Sequence, residues 1–300
     1  MELRHLRYFV AVAETGSFSH AAERRLHTSQ PSLSRQIAEL EMEVGVKLLE
    51  RRARGVTLTA AGRVFLDHAR LALLQVDTAA EAARMAERPG KPVFAVGFLI
   101  GQEVAWLPET LRILREEAPE LEVMILSQSS PELASALMRG KVDVAFLRRE
   151  KTTTGLAFRL LAPEPLVVLL PAGHRLARFK TIAPQELERE IFISPARMAP
   201  VLKSVIDDYA KKACITLKAG ADAENLSAAM SLVASTGGFT LFPIYGQNML
   251  TRSVVARRLR GEQPTIDLMM GYSESNQSPV LARLLARTDE LVAKVAQTSN

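Results

Sequence analysis

Residues 29–45 read SQPSLSRQIAELEMEVG, and the local signals in them agree on a single helix with two unlike faces. Ser29 is a residue type that caps helix N-termini. Pro31 stands in the first turn, where a missing N–H costs nothing, and Gly45 supplies the left-handed residue that ends a helix. Leu33, Ile37, Leu40 and Val44 fall on one stripe and must face a core. At about 100° per residue the opposite side carries Pro31, Ser32, Ser34, Arg35 and Ala38. These are small or hydrogen-bonding residues around one arginine. Such a face suits a DNA major groove, because small residues allow close approach and Arg35 can make a bidentate contact to guanine O6 and N7. Gln30, at the exposed N-terminal end, can reach adenine or a phosphate. Glu39, Glu41 and Glu43 lie toward the other end, so the N-terminal half is the part expected to dock. Taken alone, Arg35 reads equally well as a solvated surface arginine.

The flanks complete a winged helix-turn-helix. Upstream, Leu6, Phe9, Val10 and Ala13 repeat at helical spacing and stop at Thr15-Gly16. Ser19 is the expected cap of a brief helix through Ala21, Ala22 and Arg25 that closes at His27-Thr28. Downstream, residues 46–51 and 56–58 read as two strands joined across Ala53-Arg54-Gly55, a β-wing. Its arginines, Arg51, Arg52 and Arg54, would supply affinity for the phosphate backbone that is independent of base sequence. Thr59 is placed to cap a long helix running to about Glu87, with Pro89-Gly90 ending it. Phe65, Ala69, Ala72, Val76, Ala79, Ala83 and Ala86 recur along that helix in steps of four and three, a heptad seam. The alternative is a helix packed on its own domain; dimerisation is the reading preferred here.

From Pro92 the pattern changes to short apolar strands alternating with amphipathic helices. Strands are expected at residues 93–99, 121–126, 142–147, 166–170, 191–193, 239–242 and 268–272. Helices are expected at 104–117, 131–139, 184–190, 200–212, 226–234 and 280–296. This alternation predicts an α/β fold, mostly parallel, with ligands at the strand carboxyl ends.

Composition narrows the function. With 48% hydrophobic and 24% charged residues among 300, the chain has material for more than one core, and a formal net charge of +5 is compatible with a polyanionic partner. Cys214 is the only cysteine, so no disulfide forms within the chain, and the scattered histidines give no metal-ligand spacing. No metal and no cofactor are expected. The absence of a leader-like or membrane-length apolar run leads to the expectation of a cytoplasmic protein without membrane contact. No Gly-x-Ser-x-Gly elbow, phosphate loop or His-Glu-x-x-His occurs, so the reading is not an enzyme. An α/β enzyme with a helical assembly segment, and a purely architectural DNA-binding protein, are the competing classes.

The run from Met1 to Phe9, MELRHLRYF, then Phe18-Ser19-His20-Ala21-Ala22, the Ser29–Ile37 segment, Leu40-Glu41, Gly45, Leu48-Leu49-Glu50-Arg51 and Leu58-Thr59-Ala60-Ala61-Gly62 together resemble the LysR-type transcriptional regulators. The resemblance is strong to about residue 65 and looser beyond. It implies that Gln30, Pro31, Ser34 and Arg35 contact bases or phosphates of promoter DNA and that the wing arginines contact the backbone. It also implies a linker-helix dimer assembled into dimers of dimers, through Phe65, Ala69, Ala72, Val76 and Ala79, with RNA polymerase as a further contact. The domains would be a winged helix-turn-helix over 1–58, a linker helix over 59–90 and an effector-binding domain over 91–300 that resembles periplasmic binding proteins. Its first lobe would span 92–162 and 265–300, its second 163–264. An effector, expected to be a small carboxylate, would sit between the lobes. The loops Leu99-Ile100-Gly101-Gln102 and Ser127-Gln128-Ser129-Ser130 would meet it at helix N-termini, and Arg197 from the other side. Ile100 and Gly101 depart from the hydroxyl groups that aromatic-acid-responsive members place there. Arg148 and Arg149 are read as solvated.

Overall fold

Two units make up the computed structural model, Met1–Arg88 and Pro89–Asn300; it describes residues 1–52, 55–86, 93–150, 153–195 and 199–298. The first unit contains α1 (Leu3–Thr15), α2 (Phe18–Ala21), α3 (Gln30–Val44), β1 (Leu49–Arg52), β2 (Gly55–Leu58) and α4 (Ala60–Ala86). Gly16 and Gly45 close α1 and α3 in the left-handed region, as the sequence predicts. The cap of α2 is Ser17 rather than Ser19: the Ser17 hydroxyl accepts the His20 N–H at 3.3 Å. The helix then continues as a π-turn to Leu26, and His27 ends it at φ 47°.

Leu6, Phe9 and Val12 of α1 bury against Leu33, Ile37 and Leu40 of α3, with Leu48, Leu66 and Ala69 completing the core. Full burial of each large apolar side chain contributes about 1.5–3 kcal/mol before entropy is counted. The Thr59 hydroxyl caps α4 by accepting the Gly62 N–H at 2.8 Å, and it donates to the Lys47 carbonyl at 2.8 Å. Gly62 is required there, since a Cβ would run into the Leu48 carbonyl oxygen. Helix α4 is thus clamped directly onto the wing.

The second unit runs β3 (Val93–Leu99), α5 (Glu103–Glu117), β4 (Glu122–Gln128), α6 (Ser130–Met138), β5 (Val144–Leu147), β6 (Leu156–Pro171), β7 (Thr181–Ile182), β8 (Ile191–Ser194), α7 (Pro200–Lys212), β9 (Lys218–Asp222), α8 (Leu226–Thr236), β10 (Thr240–Pro243), β11 (Val254–Leu259), β12 (Thr265–Ser273), α9 (Pro279–Ala286) and α10 (Thr288–Thr298). In the first lobe β3 pairs in parallel with β4 and β5. Phe94, Val96 and Phe98 point to one side, under α5, α9 and α10, while Ala95 and Leu99 face α6 on the other. β3 and β5 are covered on both faces and read as unbroken apolar runs, while β4 at the edge leaves Met124 and Ile125 exposed.

The expectation of a mostly parallel sheet fails at the centre. β6 and β12 pass from lobe to lobe and pair antiparallel from Leu156↔Ser273 to Thr265↔Pro165, and β6 then pairs antiparallel with β10 and β11. One strand must leave the first lobe and one return, so the crossover pair runs in opposite directions. Residues 184–190, expected as an α-helix, form a 3₁₀ turn. The single helix expected over 280–296 is broken at Arg287; the break frees the Leu285 carbonyl, which accepts from Arg159 and from Thr288 Oγ1.

Candidate nucleic-acid interface and effector cavity

On α3 the Ser29 hydroxyl accepts the Ser32 N–H at 3.4 Å and holds the first turn. Pro31, Ser32, Arg35 and Ala38 are exposed, Gln30 and Ser34 half-buried, and Leu33, Ile37 and Leu40 lie within the core. The Arg35 side chain, 81% exposed, donates from Nε to Glu39 at 2.9 Å. Glu39 also accepts from Gln36 Nε2 at 2.8 Å. The guanidinium is therefore steered along the helix surface while its other N–H groups stay available.

Within the wing, Arg52 is exposed and donates to Thr57 Oγ1 at 3.1 Å and Glu50 at 3.1 Å. Arg51 is placed in β1 by its backbone, and Arg54 lies outside the described residues. What fixes the wing against α3 is a residue that the sequence reading assigned only to the helix's acidic end. Glu41 is 7% exposed and accepts three donors: the N–H groups of Leu48 and Leu49, at 2.9 and 3.0 Å, and Lys47 Nζ at 2.6 Å. Burial pushes the Glu41 carboxyl up, but the Lys47 ammonium and the two amides outweigh it, and the group lies below its ordinary value.

The long helix corrects one expectation. Phe65 meets Phe9 edge-on with ring centroids 5.2 Å apart, and Ala69 is 2% exposed in the unit's own core. The first two positions of the expected intersubunit seam thus pack against α1. Ala72 and Ala79 are exposed and Val76 is half-buried.

Between the lobes of the second unit lies a cavity of about 90 Å³. Leu99, Ile100, Ser129 and Ser130 line it from the first lobe, Pro195, Ala199, Leu202, Asn225, Ala229 and Phe242 from the second, and Arg148, Glu150, Tyr245 and Ile266 near the crossover. The α6 N-terminus opens there behind a capping box in which the Ser129 N–H and hydroxyl donate to Glu132 at 3.0 and 2.7 Å. The α5 N-terminus is instead occupied from within: Glu103 accepts the Gly101 N–H at 2.7 Å and the Ser127 hydroxyl at 3.1 Å.

Of the expected effector contacts, Ile100, Ser129 and Ser130 line the cavity, and Arg197 lies outside the described residues. Gln102 and Gly101 have other duties. Gln102 is 1% exposed and donates from Nε2 to both oxygens of Glu164, at 3.0 and 3.1 Å. Gly101, at φ 90°, receives Met249 and Tyr245 of the second lobe where any side chain would stand.

Arg148, read from sequence as solvated, is 4% exposed. Its guanidinium pairs with Glu164 and donates to the Ile266 carbonyl at 3.3 Å, and it lies 5.9 Å from the centroid of the Tyr245 ring. Burial pushes the Tyr245 phenol up, so it stays a neutral donor, bonded to the Ile100 carbonyl at 3.3 Å. Arg148, Glu164, Gln102 and Tyr245 thus tie the crossover strands to both lobes. The legible signal was Glu164 itself, a carboxylate between Pro163 and Pro165 and the one acid in an otherwise mainly apolar strand. Arg149 is exposed, 5.4 Å from the Phe158 ring centroid.

Comparison with known proteins places these features. The family model described as bacterial regulatory helix-turn-helix protein, lysR family, matches residues 3–63, and that of the LysR substrate binding domain matches residues 90–292. The chain is 37% identical over 300 residues to the Hca operon transcriptional activator HcaR of Escherichia coli K12, covering 98% of this chain and 99% of that protein. It is similar to full-length BenM, with a TM-score of 0.58 at 28% identity over 98% of this chain and 97% of that one. It is also similar to full-length CbnR crystallised with its target DNA, with a TM-score of 0.56 at 27% identity over 97% and 100%.

Proposed function

The chain belongs to the LysR family of bacterial transcriptional regulators, and from that premise we propose how its own residues carry out regulation. It is a DNA-binding regulator with an effector-binding domain, not an enzyme. The observation that carries the DNA assignment is the exposed face of α3, where Arg35 stands among Pro31, Ser32 and Ala38 above a buried Leu33–Ile37–Leu40 stripe. That face enters the major groove of promoter DNA, with Arg35 reading guanine and Gln30 and Ser34 contacting bases or phosphates near the helix start. Arg51, Arg52 and Arg54 of the wing contact the backbone. That CbnR was crystallised with its target DNA supports this reading.

The interlobe cavity is the effector site. Its walls are mainly apolar, and the polar groups gather at the α6 N-terminus and the crossover, which suits a small organic molecule. A carboxylate on that molecule would be met at the start of α6, at Ser130, and by Arg197. Closure of the lobes on the effector changes the geometry of a dimer of dimers, and with it DNA bending and access for RNA polymerase.

Titration of labelled duplex from the DNA flanking its own gene tests the DNA assignment. Arg35→Ala should cost about 1–3 kcal/mol on that site and narrow the gap to unrelated duplex. Arg52→Ala should weaken all duplexes alike and lower the salt slope by about 1. Unchanged affinity and specificity in Arg35→Ala would mean that another face of the unit meets DNA.

A further inference from the structure

Glu150 follows β5 at the edge of the interlobe cavity and lines it, and its Oε1 is buried with no hydrogen-bond partner. Burial pushes its carboxyl up. Neither preceding arginine relieves it: Arg149 is exposed and lies 5.4 Å from the Phe158 ring centroid, and Arg148 is committed to Glu164 and to the Ile266 carbonyl. Among the described lining residues no other lysine or arginine is present, and Glu224 at the rim adds a second carboxylate. The hydroxyl of Ser130 accepts the Arg148 N–H at 2.9 Å, and Asn225 Oδ1 accepts the Ala228 N–H at 2.8 Å, so both side chains are oriented with a donor to spare. A buried carboxylate oxygen without a donor costs free energy that a ligand can recover by supplying one.

We propose that Glu150 sets the effector's chemistry: the occupant is a small, largely apolar molecule carrying a hydroxyl or ammonium donor that Glu150 accepts, and a molecule whose only polar group is a carboxylate is disfavoured. This rests on the interlobe cavity being the effector site. The preference follows from the geometry, since the apolar walls take the body of the ligand while the crossover end presents an acceptor oxygen whose lone pairs meet no donor.

The test is calorimetric titration of the full-length protein with benzylamine, benzyl alcohol and benzoate, which share one apolar body. Each is titrated into wild type, Glu150→Gln and Ile100→Trp, the last filling the cavity mouth from an exposed position. Wild type should bind the amine and the alcohol in preference to benzoate. Glu150→Gln should lose about tenfold for benzylamine while keeping the alcohol, because an amide oxygen still accepts from a neutral O–H. Ile100→Trp should weaken all three. If wild type prefers benzoate, or Glu150→Gln leaves the order unchanged while Ile100→Trp weakens every probe, the Glu150 assignment is overturned and the cavity stands. If no probe binds, or binding survives Ile100→Trp, the cavity reading itself falls.

Discussion

Glu41 sits on α3 beyond the stretch we propose to face DNA, yet it holds the amides of Leu48 and Leu49 and the ammonium of Lys47. Replacing it with glutamine removes the charge and leaves a buried N–H poorly satisfied, so Glu41→Gln should destabilise the first unit by about 1–3 kcal/mol in chemical denaturation. The pH dependence has a definite sign. The folded carboxyl lies below the unfolded value near 4.5, so its stabilisation is present above that value and disappears as the pH falls through the folded one. Wild type should therefore lose stability between those limits faster than Glu41→Gln; parallel curves in acid would show that Glu41 is not the anchor. Arg35 and its small neighbours were legible from sequence, because a helix face is set by periodicity alone. Glu41 was not, since its partners come from a loop and a strand that reach it only after folding. The same holds for Arg148 and Glu164, sixteen residues apart. They meet because β5 and β6 both lie beside β12.

Individual elements were legible in proportion to how local their signals are. Helix α3 begins and ends at Ser29 and Gly45 as the cap, proline and glycine chemistry requires. β9, Lys-Ala-Gly-Ala-Asp, is exposed at every position and carries neither an apolar run nor an alternation, so nothing in its composition announces a strand; its parallel pairing with β8 does that work. The helix α4 lies between these cases. Its first turns are drawn onto α1 through Phe65, Leu66 and Ala69, and we propose that Ala72, Val76 and Ala79 form the stripe that meets a partner chain. A charge in that remaining stripe would be buried in a dimer and solvated in a monomer. Val76→Glu should therefore lower the mass seen in sedimentation equilibrium without loss of helical circular dichroism; an unchanged mass would place the subunit contact elsewhere.

Across the whole molecule, fold class was readable from the change in periodicity near Pro92, whereas strand direction was not. The crossover strands β6 and β12 impose antiparallel pairing where alternation alone suggests parallel, and they also create the cavity by holding two lobes on a narrow pair of strands. Two of their ties, Arg148 to Glu164 and Gln102 to Glu164, are buried bonds to a carboxylate, and Tyr245 adds a neutral bond to the Ile100 carbonyl; together they hold the lobes in one arrangement. We propose that what fills this cavity changes how the first unit engages DNA. The direct measurement is a nuclease footprint of the full-length protein on DNA flanking its own gene, repeated with a panel of small hydroxylated, amino and carboxylic compounds, for wild type and Ile100→Trp. At least one compound should alter the length or the hypersensitive positions of the wild-type footprint and leave that of Ile100→Trp unchanged. Footprints identical under every compound, or altered equally in both proteins, would contradict it.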